Sequence, residues 1–128
     1  MRILTRVPIF IVALLLLAAC GKRQQAKNMV KDFVAAYAQE EIEINSFSDL
    51  DSTRVISDSL ILVLRENAKK DPLFKSATLS PFKTQASNSS NHQTFLYIRM
   101  RYQEAGDTLE QSRTFYFDTD LTRIIAFK

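Results

Sequence analysis

Residues 94–102 alternate between apolar and mixed side chains, and this pattern constrains the fold more than any other feature of the sequence. One face carries only apolar residues and tyrosine, whereas the other carries two arginines beside two rings: Leu96, Ile98, Met100 and Tyr102 against Phe95, Tyr97, Arg99 and Arg101. A period of two residues predicts a β-strand. Because its apolar face has to be buried, we expect this strand to pack against another layer of the fold.

Two further strands are predicted downstream, because turn sequences separate further β-prone segments. Residues 104–107 (EAGD) favour a turn in which Gly106 is able to adopt a positive φ. Residues 118–120 (DTD) favour a second turn. The segments at 109–117 and 122–127 then complete an antiparallel meander of three strands.

The first half of the chain predicts two helices. From 26 to 40, apolar residues recur every three or four positions in one stripe, formed by Ala26, Met29, Val30, Phe33, Val34 and Tyr37. A second helix at about 58–70 is capped by Ser57 or Asp58 and ends before Pro72. Leu62 and Val63 widen its apolar face, so we expect this helix to be well buried.

Helices followed by a meander predict an α+β fold: an N-terminal helix packed on a C-terminal antiparallel sheet of three to four strands, with a second short helix. The short stretches at 42–44 and 47–50 are expected to give a short strand after a turn. Residues 79–86 are expected to add another, where Pro81 favours an edge position. The order of elements over 26–128 resembles that of the cystatin-like or nuclear-transport-factor-2-like class. That resemblance rests on no motif, so it carries over no site residue.

The N-terminal segment has the composition of an export signal. Arg2 and Arg6 precede the stretch from Ile9 to Ala19, whose 11 residues include no polar side chain. A membrane-spanning helix needs roughly 20 such residues, whereas a secretory signal needs fewer. The stretch ends Leu17-Ala18-Ala19-Cys20-Gly21, which resembles the lipobox of bacterial lipoproteins. An ordinary cleaved signal followed by a chance cysteine is the alternative.

The lipobox resemblance implies an anchored protein. In that family the Cys20 thiol carries diacylglycerol and the signal is cut before it. The implied organisation is a signal peptide at 1–19, a lipidated tether at 20–25 and a single α+β domain at 26–128. The bilayer is then a partner through acylated Cys20, since two or three acyl chains anchor stably where one does not. The chain as a whole resembles small lipoproteins of anaerobic Gram-negative bacteria whose functions are unassigned.

The residues after the cysteine bear on localisation. Gly21 rather than an aspartate follows Cys20, and by resemblance to enterobacterial sorting this permits the outer membrane. Lys22 and Arg23 are basic, whereas surface-exported lipoproteins of some groups carry acidic residues there. We therefore expect a cell-envelope protein at the outer membrane that faces the periplasm.

Few side chains are suited to catalysis. His92 is the only histidine and Cys20 the only cysteine, so no nucleophile–base pair and no His/Cys metal site can be recognised. Gly21 and Gly106 lie too far apart for a phosphate-binding loop. Without the signal's two arginines the chain has 15 basic and 14 acidic residues and no basic stripe. We therefore expect no enzyme, no cofactor, no metal and no nucleic acid.

The most suggestive surface combines aromatic rings with arginines. Tyr97, Arg99 and Arg101 share one face of their strand, and Arg113 is expected to join them if the hairpin register allows. Because arginine pairs bidentately with carboxylates and stacks on rings, this surface is suited to a small anionic ligand or an envelope protein. A solvated face whose rings cover cross-strand neighbours is the alternative interpretation.

Three structural outcomes distinguish the remaining functions. A concave pocket containing the arginines favours a non-enzymatic binding module. An exposed apolar edge strand at 94–102 or 122–127 favours recruitment of a partner by strand addition, as in a structural or assembly accessory of an envelope complex. Two carboxylates that converge in a deep pocket indicate an enzyme.

Overall fold

The computed structural model confirms the predicted α+β fold class. It describes residues 7–54, 56–81 and 92–128. In these ranges the chain forms two helices, α1 (Val7–Tyr37) and α2 (Asp58–Ala68). The strands are β1 (Ile42–Phe47), β2 (Asp51–Ser52), β3 (Ile56–Ser57), β4 (His92–Gln93), β5 (Leu96–Glu104), β6 (Gln111–Phe117) and β7 (Ile124–Phe127).

The main sheet is antiparallel and open, with strand order β1-β5-β6-β7. The predicted meander is therefore confirmed as β5, β6 and β7. β2 also pairs with β5, beyond the end of β1, and β3 pairs with β4 in a separate two-stranded sheet. Because β5 is paired along both of its sides, the strand predicted at 94–102 is not an edge strand.

The core lies between α1 and one face of the sheet. Ala26, Val30 and Phe33 of the predicted stripe are buried against the even-numbered face of β5 and the facing residues of β6 and β7. The ring of Phe33 lies 5.2 Å from that of Phe74 and 5.7 Å from that of Phe115. Phe74 comes from the segment after α2, where the sequence predicted no regular element.

α1 differs from the prediction at both ends. Residues 20–25, predicted as a tether, are helical, and Arg23 and Gln25 bond to neighbouring loops. Gln25 Nε2 donates to the carbonyl of Leu121 at 3.1 Å. At the other end the helix stops at Tyr37 rather than 40, because the amide of Gln39 turns away to the carbonyl of Leu73 at 2.8 Å.

α2 begins where the sequence predicted, with Ser57 Oγ accepting from the amide of Leu60. The expectation that it is well buried is wrong: Leu60, Leu62 and Val63 are 46–53% exposed. α2 packs against β7 with the narrower stripe of Ile61, Leu64 and Ala68. Arg65 Nη1 donates to the carbonyl of Ile125 at 2.7 Å. The carbonyl of Ile125 in β7 is therefore already engaged by α2.

Both predicted turns occur. Gly106 adopts a φ of 82°, as expected of its turn. In the turn after β6, Leu121 adopts a φ of 53°, which is uncommon outside glycine. The Asp118 carboxylate supports this turn by accepting from the amides of Thr122 and Arg123 at 2.8 and 3.1 Å and from the Thr122 hydroxyl.

The structure tests the prediction of a strand at 79–86 only in part, and it does not test the prediction for 87–91. Residues 79–81 lie outside any strand, and the rest of the strand predicted at 79–86 lies outside the described residues. Residues 87–91, whose polar sequence (SNSSN) favours a loop, lie outside them as well. The backbone of His92 begins β4, whereas its side chain lies outside the described part of the chain.

Candidate functional site

The face of β5 that points away from α1 carries a groove of about 400 Å³. We call it the sheet-face groove, and it is lined by Ser46, Phe47, Ser48, Asp49, Asp51, Tyr97, Arg99 and Arg101. Both arginines are exposed and Tyr97 is half-buried. Three of the four residues predicted to form a binding surface therefore lie together in one concavity.

The wall of the groove forms because two strands pair successively with β5. β1 pairs Ser46 with Arg101 after a bulge at residue 45, and β2 pairs Asp51 with Tyr97. Paired residues share a face of the sheet, so Ser46 and Asp51 stand beside Arg101 and Tyr97.

Between these strands, Ser48 fixes the connecting loop to β5. Its amide donates to the carbonyl of Arg99 at 2.9 Å, and its Oγ accepts from the amide of Arg99 at 2.8 Å. The Ser48 hydroxyl in turn donates to the carbonyl of Asp49 at 3.0 Å. The loop that carries Asp49 is therefore held against the groove by backbone as well as side-chain bonds.

The groove holds charges of both signs that do not neutralise one another. Within the described ranges, neither Arg99 nor Arg101 has a carboxylate oxygen within 4.0 Å. The guanidinium of Arg99 contacts the Thr114 hydroxyl, with Nε 3.5 Å from Oγ1. Asp49 is fully exposed and lies 3.9 Å from Arg23 Nε, and Asp51 Oδ1 accepts from the amide of Ser52. Both guanidinium groups are therefore available to an incoming ligand.

A second tyrosine lies beside Tyr97 on the same face of the sheet. The ring of Tyr97 lies 6.2 Å from that of Tyr116 on β6, and the two residues are direct cross-strand partners. Tyr116 is buried, so it limits the positions open to the Tyr97 ring. Tyr97 therefore offers one ring face and a hydroxyl at a defined place on the groove wall.

Arg113 does not belong to the sheet-face groove, and its expected participation is wrong. It pairs with Met100 in the register, so it lies on the core face with Phe115. There its Nε donates to Asp71 Oδ2 at 3.0 Å, and the guanidinium lies 5.7 Å from the ring centre of Tyr102. The side chains of Arg113 and Asp71 are only 20% and 12% exposed. Arg113 therefore joins the end of α2 to the sheet.

The Tyr102 hydroxyl closes this structural cluster. It donates to Gln111 Oε1 at 3.3 Å. Burial raises the pKa of Tyr102 above its ordinary range, although the Arg113 charge counteracts part of that rise. The hydroxyl therefore stays protonated throughout the physiological range, as expected of a core hydrogen-bond donor.

The candidate lipidation residue Cys20 lies within α1. Three residues further on, Arg23 Nη2 and Nε donate to the carbonyls of Phe47 and Ser48 at 3.0 and 3.2 Å. Ala26, the first buried residue after the cysteine, lies about 9 Å along the helix axis from Cys20 at 1.5 Å per residue. Among the residues that the structure describes, no helix has the length and apolarity to cross a membrane.

A second concavity of about 540 Å³ lies on the other side of the loop at 49–51. We call it the anchor-side cavity, and it is lined by Lys22, Arg23, Asp49, Leu50, Asp51, Ser52, Leu96 and Thr119. The segment at 49–51 is therefore a shared wall between the sheet-face groove and the part of α1 that carries Lys22 and Arg23.

The sequence did not identify the residues of this wall. Ser46, Ser48, Asp49 and Asp51 lie in a segment whose pairing with β5 brings them to the groove. The only sequence feature that indicated strand pairing in this segment was the pair of short β-prone stretches at 42–44 and 47–50. In the parts of the chain that the structure covers, no three His, Cys, Asp or Glu side chains are grouped so that they could hold a metal ion.

No family model matches the chain, and no curated protein or solved structure matches it significantly. The site is therefore interpreted from its own geometry and charge.

Proposed function

We propose that this chain is a lipid-anchored protein of the bacterial cell envelope and that its sheet-face groove binds a ligand through an anionic group. The observation that carries the binding part is the pair Arg99 and Arg101, which share one groove without a carboxylate partner in the described part of the chain. Arginine binds carboxylate or phosphate oxygens through two parallel N–H bonds. The bilayer is the second partner, through acylated Cys20.

The role of a binding module fits the groove better than that of an enzyme. Two carboxylates do line the groove, Asp49 and Asp51, but both are exposed rather than enclosed in a deep pocket. Catalytic carboxylates are usually placed where burial or a neighbour changes their acidity. The groove instead offers hydrogen-bond donors at fixed positions, which suits recognition.

Binding is tested by NMR with inorganic phosphate as the probe. We expect phosphate to shift the amide signals of residues 46–51 and 97–101 in the labelled full-length protein held in detergent micelles. The Arg99→Gln/Arg101→Gln double variant is expected to lose these shifts. Arg54→Gln, which removes an exposed arginine outside the groove, is the matched control and should keep them. Shifts that persist in the double variant would refute binding at the groove.

The anchor is tested through signal processing. Globomycin blocks the peptidase that cleaves lipoprotein signals, so a larger precursor should accumulate in treated cells. Cys20→Ser should also leave the signal uncleaved without the inhibitor, but that precursor should lack diacylglycerol because it has no thiol at position 20. Processing that is unchanged under both conditions would contradict the lipobox assignment. Membrane fractionation then tests the proposed outer-membrane location, and protease treatment of intact cells tests whether the domain faces the periplasm.

An assembly accessory is the second candidate, and one observation favours it. Leu60, Leu62 and Val63 of α2 are about half exposed, and clustered exposed apolar side chains are typical of contact surfaces. Photo-crosslinkers placed at positions 62 and 63 should capture one defined envelope protein if this candidate is correct. Crosslinks only to lipid or to many proteins would count against it.

A further inference from the structure

The sheet-face groove contains acidic as well as basic side chains, which limits the kind of anion that suits it. Arg99 and Arg101 attract an anionic group, whereas Asp49 and Asp51 repel it. All four line the same concavity, yet within the described ranges no ion pair joins an arginine of the groove to a carboxylate. A simple anion in this groove is therefore attracted by the arginines and repelled by the aspartates, although Arg23, 3.9 Å from Asp49, offsets part of that residue's charge.

A ligand with one anionic and one cationic group satisfies both sets of charges. We infer that the sheet-face groove binds a phosphoethanolamine group, with its phosphate on Arg99 and Arg101 and its ammonium on Asp49 and Asp51. This inference rests on the proposed function, because it names the ligand class for the same groove. Two guanidinium groups two residues apart on one strand face suit a phosphate, which accepts several charge-assisted bonds at once.

The acidic wall favours a primary ammonium over a quaternary one. A carboxylate accepts hydrogen bonds from N–H groups, which a quaternary ammonium lacks. Quaternary groups are instead recognised by cages of several aromatic rings. Among the lining residues only Tyr97 offers a ring on the groove face, since Phe47 pairs with core-facing Met100 and its ring lies under Lys27.

The position of the groove favours a phosphate ligand that lies at a membrane surface. Arg23 donates to the carbonyl of Ser48 in the wall of the groove. Arg23 follows Cys20 by three residues, which is about 4.5 Å along the helix axis. The anchor-side cavity on the other side of that wall includes Leu50 and Leu96. With Cys20 acylated, lipid headgroups lie close to this end of the domain. A soluble metabolite could present the same phosphoethanolamine chemistry, so the test separates the two sources.

The test compares three small probes by NMR titration of the full-length protein in micelles of a sugar detergent. Phosphoethanolamine carries both charges, ethyl phosphate lacks the ammonium, and β-alanine replaces the phosphate by a carboxylate. We expect phosphoethanolamine to bind about fivefold more tightly than ethyl phosphate, which is what two exposed ion pairs contribute. β-Alanine should bind more weakly than phosphoethanolamine. Equal binding of phosphoethanolamine and ethyl phosphate would overturn the inference, and β-alanine binding as tightly would assign an amino acid or peptide instead.

Two sets of variants separate the inference from the proposed function. Asp49→Asn/Asp51→Asn should remove the preference for phosphoethanolamine while ethyl phosphate still binds. Asp120→Asn, an exposed aspartate outside the groove, is the matched control and should keep the preference. If the preference survives in the Asp49/Asp51 variant, the inference fails and the proposed function stands. If ethyl phosphate binding survives in Arg99→Gln/Arg101→Gln, the proposed function fails.

The source of the ligand is settled by competition. Vesicles that contain phosphatidylethanolamine should displace phosphoethanolamine if the groove takes a lipid headgroup, whereas vesicles of phosphatidylglycerol should not. Displacement by neither vesicle, with tight binding of the free compound, supports the same chemistry from a soluble source. Displacement by phosphatidylglycerol alone would overturn the assignment of an ammonium site.

Discussion

Arg113 and Asp71 form the most enclosed ion pair among the described residues, with Nε to Oδ2 at 3.0 Å and Nη2 to Oδ1 at 3.5 Å. Asp71 Oδ1 also accepts from the amide of Leu73 at 2.9 Å, and so holds the turn that brings Phe74 into the core. This pair connects the end of α2 to β6. It explains why an arginine lies on the apolar face of a core strand.

Breaking this pair should be costly. Asp71→Ala leaves the Arg113 charge partly buried without its partner, and we expect a loss of about 3 kcal/mol in the free energy of unfolding. Lys69→Ala, which removes the exposed pair with Glu66 at 3.2 Å, should cost less than about 0.5 kcal/mol. Urea denaturation measures both. Similar losses in the two variants would show that the enclosed pair has no special role.

The ring of Phe33 holds α1 on the sheet. It contacts the rings of Tyr37, Phe74, Phe115 and Phe127 at centroid distances of 5.0 to 5.7 Å. Phe33→Ala should therefore destabilise the fold by about 4 kcal/mol, through lost burial and the cavity left behind. Leu109→Ala, at a position 68% exposed, should change the stability by less than about 0.5 kcal/mol. Thermal and urea unfolding should give the same loss of stability for Phe33→Ala. A loss as small as that of Leu109→Ala would mean that α1 is not packed on the sheet as described.

Asp118 predicts a pH dependence of stability. Burial alone would raise its pKa, but the bonds from the Thr122 hydroxyl and from the amides of Thr122 and Arg123 outweigh burial and lower it. As the pH falls, the unfolded chain therefore binds a proton at this position before the folded chain does. The stabilisation by the Asp118 carboxylate is complete above the ordinary aspartate pKa of about 4. It is lost as the pH falls through the lower pKa that Asp118 has in the folded protein.

The variant Asp118→Ala should therefore be less stable than the unaltered protein by about 1 kcal/mol at neutral pH, since its turn loses charge-assisted hydrogen bonds. The difference should shrink steadily below pH 4. Asp120→Ala removes a neighbouring exposed carboxylate and should show little effect at any pH. A difference for Asp118→Ala that stays constant down to pH 2 would contradict the lowered pKa.

Arg23 should control the order of the loop at 47–49. Its guanidinium bonds the carbonyls of Phe47 and Ser48, and the amide of Ser48 is itself bonded to Arg99. Arg23→Ala should accelerate hydrogen exchange at the Ser48 amide several-fold, because the loop can then open without breaking the two bonds from Arg23. Lys22→Ala, one residue earlier on α1 and exposed, should leave the exchange rate unchanged. Equal rates in both variants would show that Arg23 does not hold the wall of the groove.

Periodicity predicted the elements of this fold well because burial is one-sided in most of them. The alternation at 94–102 specified which face of β5 is core, and the spacing of Ala26, Val30 and Phe33 specified the buried stripe of α1. The same use of periodicity predicted too much burial for α2, because α2 packs only against the narrow edge of the sheet at β7. Periodicity cannot show how wide the covering surface will be.

The candidate site was only partly predictable. Tyr97, Arg99 and Arg101 are grouped by local alternation within one strand, so the sequence contains that information. Arg113 was wrongly grouped because the register that places it opposite Met100 depends on the turn at 104–107. The positions of Asp49 and Asp51 in the groove depend on the long-range pairing of β1 and β2 with β5, which no local sequence pattern specifies.

The mass of the native protein tests the central claim, namely that this domain acts at a membrane surface through Cys20. Intact-mass and peptide analysis of protein extracted from its own membranes should give a chain that begins at Cys20, with diacylglycerol on the sulfur and a further acyl chain on the new amine. A chain that still begins at Met1, or one with an unmodified thiol at position 20, would contradict the account.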